Sequence, residues 1–247
     1  KAIICVHYGG LPCDMDELQL IADEWGIPII EDAAHAVGAK YKGVDVGSIS
    51  DFTMFSFQAI KHITTGDGGM LIIKNKDLVD KAERIRWFGI DRKSKQAGIW
   101  ENDITEVGYK YQMTDIAAAM GIASLSEFDE QSKLRKELYE AYESELTDCE
   151  RLKVVGGDFS DREHAAWLFT VLVEDRYTLQ EKLRDNGIES NQVHFRNDRY
   201  SIFKEFTDGK VFPNMDKVED NYLVLPLHTK MTLEDVKRVC RVIKLGW

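Results

Sequence analysis

The sequence places an acid, an amine and a hydroxyl where they could act on one ligand. Asp32 follows a buried-type apolar run, Ser56 ends a second apolar run, and Lys61 lies in the loop after it. Gly66 and its neighbours would let this loop approach a ligand closely. Pyridoxal phosphate (PLP) requires such a set: an amine for its aldehyde, a carboxylate for its ring nitrogen, and hydroxyls and amides for its phosphate.

Each of these residues also has an ordinary structural interpretation. Lys61 could be one surface lysine among many, and composition alone favours that reading. Asp32 could cap a helix, and Ser56 could be a loop residue. Asp32 and His35 could form half of a metal site, but the early chain adds only His7 as a further ligand. We therefore predict no metal site.

The elements that would position these residues begin with a strand, a helix and a strand. Residues 2–6 and 27–30 are apolar runs, and residues 15–25 carry apolar side chains at helical spacing. This order predicts a βαβ unit with a parallel sheet, whose strands open a ligand crevice at their carboxyl ends. Residues 52–57 and 70–73 predict two further strands.

The later sequence predicts a different, smaller arrangement. A helix that begins at Thr114-Asp115 is expected to turn Ile116, Met120 and Leu125 inward, and a long helix follows over residues 127–146. The elements expected beyond it are strands at 152–155, 167–173 and 223–225 and helices at 177–186 and from 232. We predict one domain over residues 1–125 and a small α+β domain over residues 126–247.

Three stretches of the sequence resemble the signature segments of one family. They are residues 29–36 (IIEDAAHA), 56–69 (SFQAIKHITTGDGG) and 108–119 (GYKYQMTDIAAA). All three resemble the DegT/DnrJ/EryC1/StrS family, the sugar-nucleotide aminotransferases that use PLP. Residues 6–10 and 225–228 also fall in the family's order, so the resemblance covers almost the whole chain.

The resemblance implies a fold and an organisation. The fold would be the α/β type I PLP-dependent transferase fold, which is aspartate aminotransferase-like. Residues 1–125 would be the C-terminal portion of the large PLP-binding domain. Family members have a sizeable part before the strand that begins this chain, so we expect the chain to be N-terminally incomplete.

The resemblance also implies roles for single residues. Lys61 would be the catalytic lysine that attaches to PLP, and Asp32 would pair with the pyridine nitrogen. His35 would lie near the ring hydroxyl, and Ser56 would contact the phosphate. Lys110 would lie where many members have an Asn that reaches the phosphate of the neighbouring subunit. Some relatives that act as dehydratases have His in place of the lysine, so Lys61 argues for transamination.

A later segment, residues 193–200, falls where the family places a sugar-nucleotide loop. His194, Arg196 and Arg199 could contact the substrate there, since an arginine can pair with a diphosphate. A solvated surface loop is an equally good interpretation of this segment.

Together these implications predict an enzyme that moves an amino group, usually from glutamate, onto a keto-sugar nucleotide. Such an enzyme would serve amino-deoxy-sugar biosynthesis for a surface polysaccharide or a glycosylated metabolite. A homodimer is expected because the resemblance places the site between subunits. The alternatives are a non-catalytic fragment or assembly subunit, and a PLP-dependent sugar dehydratase.

Composition argues against several other classes of protein. The 247 residues include 32 Lys plus Arg against 43 Asp plus Glu, a net charge of −11. Such a surface repels phosphate backbones, so no nucleic-acid partner is expected. The apolar runs are shorter than a membrane span, so no membrane partner is expected either. Four scattered cysteines without CxxC spacing indicate reduced thiols in a cytoplasmic protein.

Overall fold

The computed structural model describes residues 1–101, 103–157 and 159–247, which form two compact units. The first unit comprises residues 1–8 and 12–129, and the second comprises residues 9–11 and 130–247. The assignment of residues 1–125 to a large PLP-binding domain and of residues 126–247 to a small domain stays a prediction. Among the described helices, none combines the length and apolar character that crossing a bilayer requires.

The strands and helices are named here in chain order. The strands are β1 (Ile3–Val6), β2 (Ile29–Asp32), β3 (Lys40–Tyr41), β4 (Val44–Asp45), β5 (Phe52–Ser56), β6 (Gly69–Ile73), β7 (Leu152–Val154), β8 (Arg162–Glu163), β9 (Phe169–Val173) and β10 (Tyr222–Leu225). The helices are α1 (Met15–Trp25), α2 (Val79–Arg86), α3 (Arg92–Gln96), α4 (Asp115–Ser126), α5 (Phe128–Leu146), α6 (Arg176–Asp185), α7 (Lys204–Thr207), α8 (Pro213–Val218) and α9 (Leu233–Lys244).

The main sheet of the first unit has the strand order β1-β2-β5-β6. Strands β1, β2 and β5 are parallel, with Val6 and Met54 on either side of Asp32, and β6 runs antiparallel to β5. The predicted βαβ unit is therefore confirmed, and the four apolar runs share one sheet. Since three strands are parallel, their carboxyl ends meet at one edge.

Helix α1 packs a small core against this sheet. Met15 and Ala22 are buried on its inner face beside Ile29 of β2. Gly26 ends the helix in the left-handed conformation, with φ of 59°, and its N–H donates to the carbonyl oxygens of the last turn. The sequence predicted this helix and its end correctly.

Helix α4 differs from its prediction. The side chains of Ile116, Met120 and Leu125 were expected inward, but they are 79%, 46% and 58% exposed. The helix is apolar on every side, so its pattern defines no single inner face. The described chain buries none of its side chains fully.

The second unit is the predicted α+β arrangement. An antiparallel sheet of order β10-β9-β7 packs with α5, α6 and α9 around one apolar core. Thr232 and Asp235 form a capping box at the start of α9, and Val236 and Ile243 lie in the core. Tyr142 of α5 is fully buried against Phe169, with ring centroids 4.6 Å apart.

Candidate active site

Asp32 and Ser56 share one face of the main sheet. Asp32 ends β2 opposite Met54 in the parallel register, and Ser56 lies two residues beyond Met54. Because side chains alternate along a strand, Met54 and Ser56 point to the same face as Asp32. The Asp32 Oδ1 atom accepts a hydrogen bond from the Ala34 N–H at 3.1 Å, which orients the carboxylate.

The loop that carries Lys61 is tied together at its two ends. The Phe57 N–H donates to the Gly68 carbonyl at 2.8 Å, and the Thr65 N–H donates to the Phe57 carbonyl at 2.9 Å. Gly66 has φ of 80°, and a Cβ at Gly68 would lie 2.3 Å from Thr65 Oγ1. Glycine is therefore required at both positions for this closed loop.

Buried neighbours anchor Lys61 within the loop. His62 and Ile63 are 5% and 7% exposed, and the His62 ring meets Phe128 edge-to-face at a centroid distance of 6.5 Å. The Lys61 N–H donates to the Gln58 carbonyl at 2.9 Å. The backbone around the lysine is thus fixed by packing and by a hydrogen-bonded turn.

The amine of Lys61 has a perturbed pKa. Burial lowers the pKa, and the negative charge of Asp32 opposes that lowering. The amine therefore lies within electrostatic reach of the Asp32 carboxylate. A depressed pKa favours the neutral amine that attacks a carbonyl.

His35 and Ser56 complete the group at this edge. His35 is 9% exposed, and its ring packs edge-to-face against Tyr8 with a centroid distance of 6.0 Å. Ser56 Oγ accepts a hydrogen bond from the Gln58 N–H at 3.3 Å. Four of the predicted site residues therefore follow parallel strands of one sheet. Their roles toward PLP stay predictions.

A buried polar network lies on the other face of β2. Glu31 is fully buried, and its Oε2 lies 2.7 Å from His7 Nε2. Its Oε1 accepts hydrogen bonds from the Ser50 N–H at 3.1 Å and from the Thr53 hydroxyl at 3.0 Å. Burial alone would raise the pKa of Glu31, but these hydrogen bonds, led by His7, lower it.

The same network contacts the backbone of Asp32. The His7 N–H donates to the Asp32 carbonyl at 3.0 Å, just beyond the last β1–β2 pair. His7 thereby joins the end of β1 to the end of β2 through its backbone and through its side chain. We expect this network to hold Asp32 in place.

Lys110 is exposed, and its backbone forms an isolated antiparallel β-bridge with Trp87. Its Nζ lies 3.9 Å from the centre of the Trp87 ring, a cation–π geometry. Its contact with the phosphate of a neighbouring subunit stays a prediction.

The predicted substrate residues of the second unit differ in how their side chains are bound. Arg196 is 6% exposed and forms ion pairs with Asp198 at 2.7 Å, Asp216 at 2.6 Å and Glu219 at 3.0 Å. Its guanidinium is thus committed to carboxylates of its own unit. Arg199 is exposed and forms an ion pair with Glu219.

His194 offers a side chain on the surface of the second unit. The residue is exposed, and its carbonyl oxygen accepts a hydrogen bond from the Tyr222 hydroxyl. The substrate roles of His194, Arg196 and Arg199 stay predictions, and the ion pairs of Arg196 favour a structural role for it.

The sequence profile of the DegT/DnrJ/EryC1/StrS aminotransferase family matches residues 1–244. The chain belongs to this family. The match confirms the resemblance that the three signature stretches indicated.

Two curated relatives and one solved structure illustrate the family likeness. A protein of Methanocaldococcus jannaschii is 39% identical over an alignment of 257 positions, which covers 99% of this chain. A UDP-4-amino-4,6-dideoxy-N-acetyl-beta-L-altrosamine transaminase of Campylobacter jejuni is 34% identical over 243 residues, or 96% of this chain. AtS13 from Actinomadura melliaura matches 100% of this chain with a TM-score of 0.94 and 37% identity. The likeness confirms the α/β type I transferase fold.

The chain is shorter than these family members. It spans 66% and 63% of the two curated relatives, and it covers 67% of the AtS13 chain.

Two residues of the site in this family member were missed from sequence. The sequence patterns assigned no role to Glu31, and they presented His7 only as a possible metal ligand. The sequence signal for this pair was a charged residue inside a buried strand. A histidine lies directly after the neighbouring strand and could pair with it. Burial makes a partner for Glu31 obligatory, and His7 is that partner.

Proposed function

We propose that the protein containing this chain is a PLP-dependent aminotransferase that acts on a keto-sugar nucleotide, with an amino acid such as glutamate as donor. The observation that carries the proposal is the Lys61 amine, which has a lowered pKa and lies within electrostatic reach of Asp32. Membership of the aminotransferase family supports the same reading.

The chemistry of the donor set fits PLP. Lys61 supplies an amine with a depressed pKa, and Asp32 supplies a carboxylate whose Oδ1 is already oriented by the Ala34 N–H. Ser56 supplies a hydroxyl on the same sheet face. His35 supplies a buried ring at the same edge. We propose that these four residues hold the cofactor in this unit.

When bound, PLP supplies an electron sink for the carbon that gains or loses the amino group. The tasks of the chain follow from its own groups. The Asp32 carboxylate would hold a positive charge placed opposite it, and Lys61 Nζ would accept and return a proton. The tied loop from Phe57 to Gly68 keeps that nitrogen in position.

Lysine at position 61 favours amino transfer over sugar dehydration. An amine can form and release a covalent link to a carbonyl, whereas an imidazole cannot form the same link. A non-catalytic assembly subunit is the remaining alternative, and an activity measurement separates the two.

For the substrate we propose the second unit as the source of nucleotide contacts. Arg199 and His194 are exposed, whereas Arg196 is bound by three carboxylates. Arg199 can offer its guanidinium to a diphosphate if it leaves Glu219.

We also propose that the protein acts as a homodimer. Helix α4 exposes Ile116 and Ile122 at 79% and 72%, and β6 exposes Met70 at 54%. Apolar surface of this kind on one unit is typical of a protein interface. Lys110 would reach the neighbouring site from the same unit. A cytoplasmic location is proposed because the four cysteines are free thiols.

The test measures amino transfer directly. The protein containing residues 1–247 is incubated with PLP, glutamate and a UDP-4-keto sugar, and the amino sugar is followed by mass spectrometry. We expect turnover that Lys61→Ala abolishes, while the exposed-lysine control Lys76→Ala keeps it. Absence of turnover in a protein that binds PLP and the sugar nucleotide would instead favour the assembly role.

A further inference from the structure

His7 is bound by three different groups at the carboxyl end of β1. Its side chain is fully buried, and Nε2 lies 2.7 Å from Glu31 Oε2. Nδ1 accepts a hydrogen bond from the Cys13 N–H at 3.1 Å. The His7 N–H donates to the Asp32 carbonyl at 3.0 Å. One residue thereby ties the end of β1 both to the end of β2 and to the segment before α1.

These contacts define the tautomer of the His7 ring. Nδ1 accepts an N–H, so the ring proton lies on Nε2 and is donated to Glu31. Glutamine can replace this donor, because its amide nitrogen reaches nearly the position of Nε2. Asparagine has a shorter side chain and can replace only the Nδ1 acceptor. The two amide side chains therefore separate the two contacts of the ring.

Glu31 continues the connection from β2 to β5. Its Oε1 accepts hydrogen bonds from the Ser50 N–H at 3.1 Å and from the Thr53 hydroxyl at 3.0 Å. With His7, three donors from three segments therefore bind one buried carboxylate. Removing a donor from a buried carboxylate leaves its charge poorly compensated, so the network strongly favours this one arrangement. Side chains as well as the backbone ladder thus link β1, β2 and β5.

We propose that His7 is a positioning residue for the proposed PLP site and acts through Asp32. Its N–H continues the β1–β2 ladder beyond the last pair, Val6 with Asp32, and so keeps Asp32 extended. Because side chains alternate along an extended strand, Glu31 then meets the His7 ring and the Asp32 carboxylate points to the opposite face. This role rests on the proposed function, in which Asp32 meets the cofactor.

The affinity for PLP tests this role without a measurement of turnover. PLP is titrated into the protein containing residues 1–247 and into its variants, and the dissociation constant is obtained from the absorbance of bound PLP. Circular dichroism first shows that each variant is folded under these conditions. We expect His7→Asn to weaken PLP binding roughly tenfold, because Glu31 loses its donor and the end of β2 is held less firmly. His7→Gln should stay close to the parent, because it keeps a donor for Glu31.

Two further variants separate positioning from a general loss of stability. Thr53→Val removes the hydroxyl donor to Glu31 and keeps the shape of the side chain, so it should also weaken PLP binding, even if His7→Asn fails to fold. Ile29→Val is the matched control in β2. Ile29 is fully buried in the core under α1, so its truncation should lower the free energy of unfolding and leave the PLP affinity unchanged.

The possible results separate this role from the proposed function. Weaker PLP binding in His7→Asn and Thr53→Val, with recovery in His7→Gln, would support the positioning role. Unchanged affinity in His7→Asn and Thr53→Val, or an equal loss in Ile29→Val, would overturn it and leave the proposed function intact. A parent protein that does not bind PLP would overturn the proposed function, and the positioning role with it.

Discussion

At the scale of single residues, the two adjacent acids Glu31 and Asp32 have opposite tasks. Side chains alternate along β2, so Glu31 points into the core, where it is bound by His7 and Thr53. Asp32 points to the opposite face of the sheet, within electrostatic reach of Lys61. The sequence was enough to predict that Asp32 and Lys61 lie at one sheet edge, because both follow apolar strands, and their roles toward PLP stay predictions. It was not enough for the cause of the Lys61 pKa shift, since burial depends on residues distant in the chain.

The lowered pKa of Lys61 leads to the first prediction. In competitive acetylation as a function of pH, the labelling midpoint of Lys61 should lie below that of Lys42, whose pKa is raised by its ion pair with Asp16. Asp32→Asn should lower the Lys61 midpoint further, because it removes the charge that opposes the shift. A Lys61 midpoint equal to that of Lys42 would contradict the electrostatics described here.

A second prediction concerns the buried partner of His7. Glu31→Gln should destabilise the protein by about 1–3 kcal/mol, because an amide cannot satisfy the same buried donors. Urea unfolding monitored by circular dichroism measures the free energy of unfolding. The control is Glu24→Gln at an exposed position of α1, and it should change that free energy by less than about 0.5 kcal/mol. Equal effects of the two variants would refute the network.

At the scale of elements, periodicity worked where one face is buried. The βαβ start, the second-unit strands and the start of α9 were predicted because their sequence patterns are regular and end clearly. The predicted inner face of helix α4 was wrong. Ile116, Met120 and Ile122 leave the helix without a distinct polar face, so its sequence pattern does not indicate which face is buried. Closure of the lysine loop was also beyond the sequence, since it depends on hydrogen bonds between Phe57 and Gly68.

The loop gives the third prediction. Gly68→Ala should destabilise the protein and weaken PLP binding, because the new Cβ would lie 2.3 Å from Thr65 Oγ1. In a Thr65→Ala background the same substitution should cost less, since the colliding atom is gone. A double-mutant cycle of unfolding free energies should therefore show coupling of about 0.5–3 kcal/mol. Additive costs would mean that the two residues do not collide.

At the scale of the whole molecule, the two units bury their apolar residues to very different extents. The second unit encloses a continuous core that includes Tyr142, Phe169 and Ile243, whereas the first has a small core under α1 and exposes much of α4 and β6. Single-chain sequence patterns carry no information on what covers such a face. The exposed surface is the reason for the proposed homodimer.

The fourth prediction tests that interface. Ile116→Glu should shift the protein from dimer to monomer in sedimentation velocity, because it puts a charge into the apolar face of α4. Ile202→Glu, at a position 78% exposed in the second unit, is the matched control and should leave the dimer intact. A parent protein that is monomeric at all concentrations, or equal effects of the two variants, would argue against this dimer.

If Lys61 is the amine that PLP engages, borohydride reduction should fix the cofactor on that lysine. The protein containing residues 1–247 is incubated with PLP, reduced, digested and mapped by mass spectrometry. We expect one stable pyridoxyl adduct, on the peptide that contains Lys61, which is absent in Lys61→Ala and present in Lys76→Ala. An adduct on another lysine of the parent protein, with Lys61 unmodified, would contradict it.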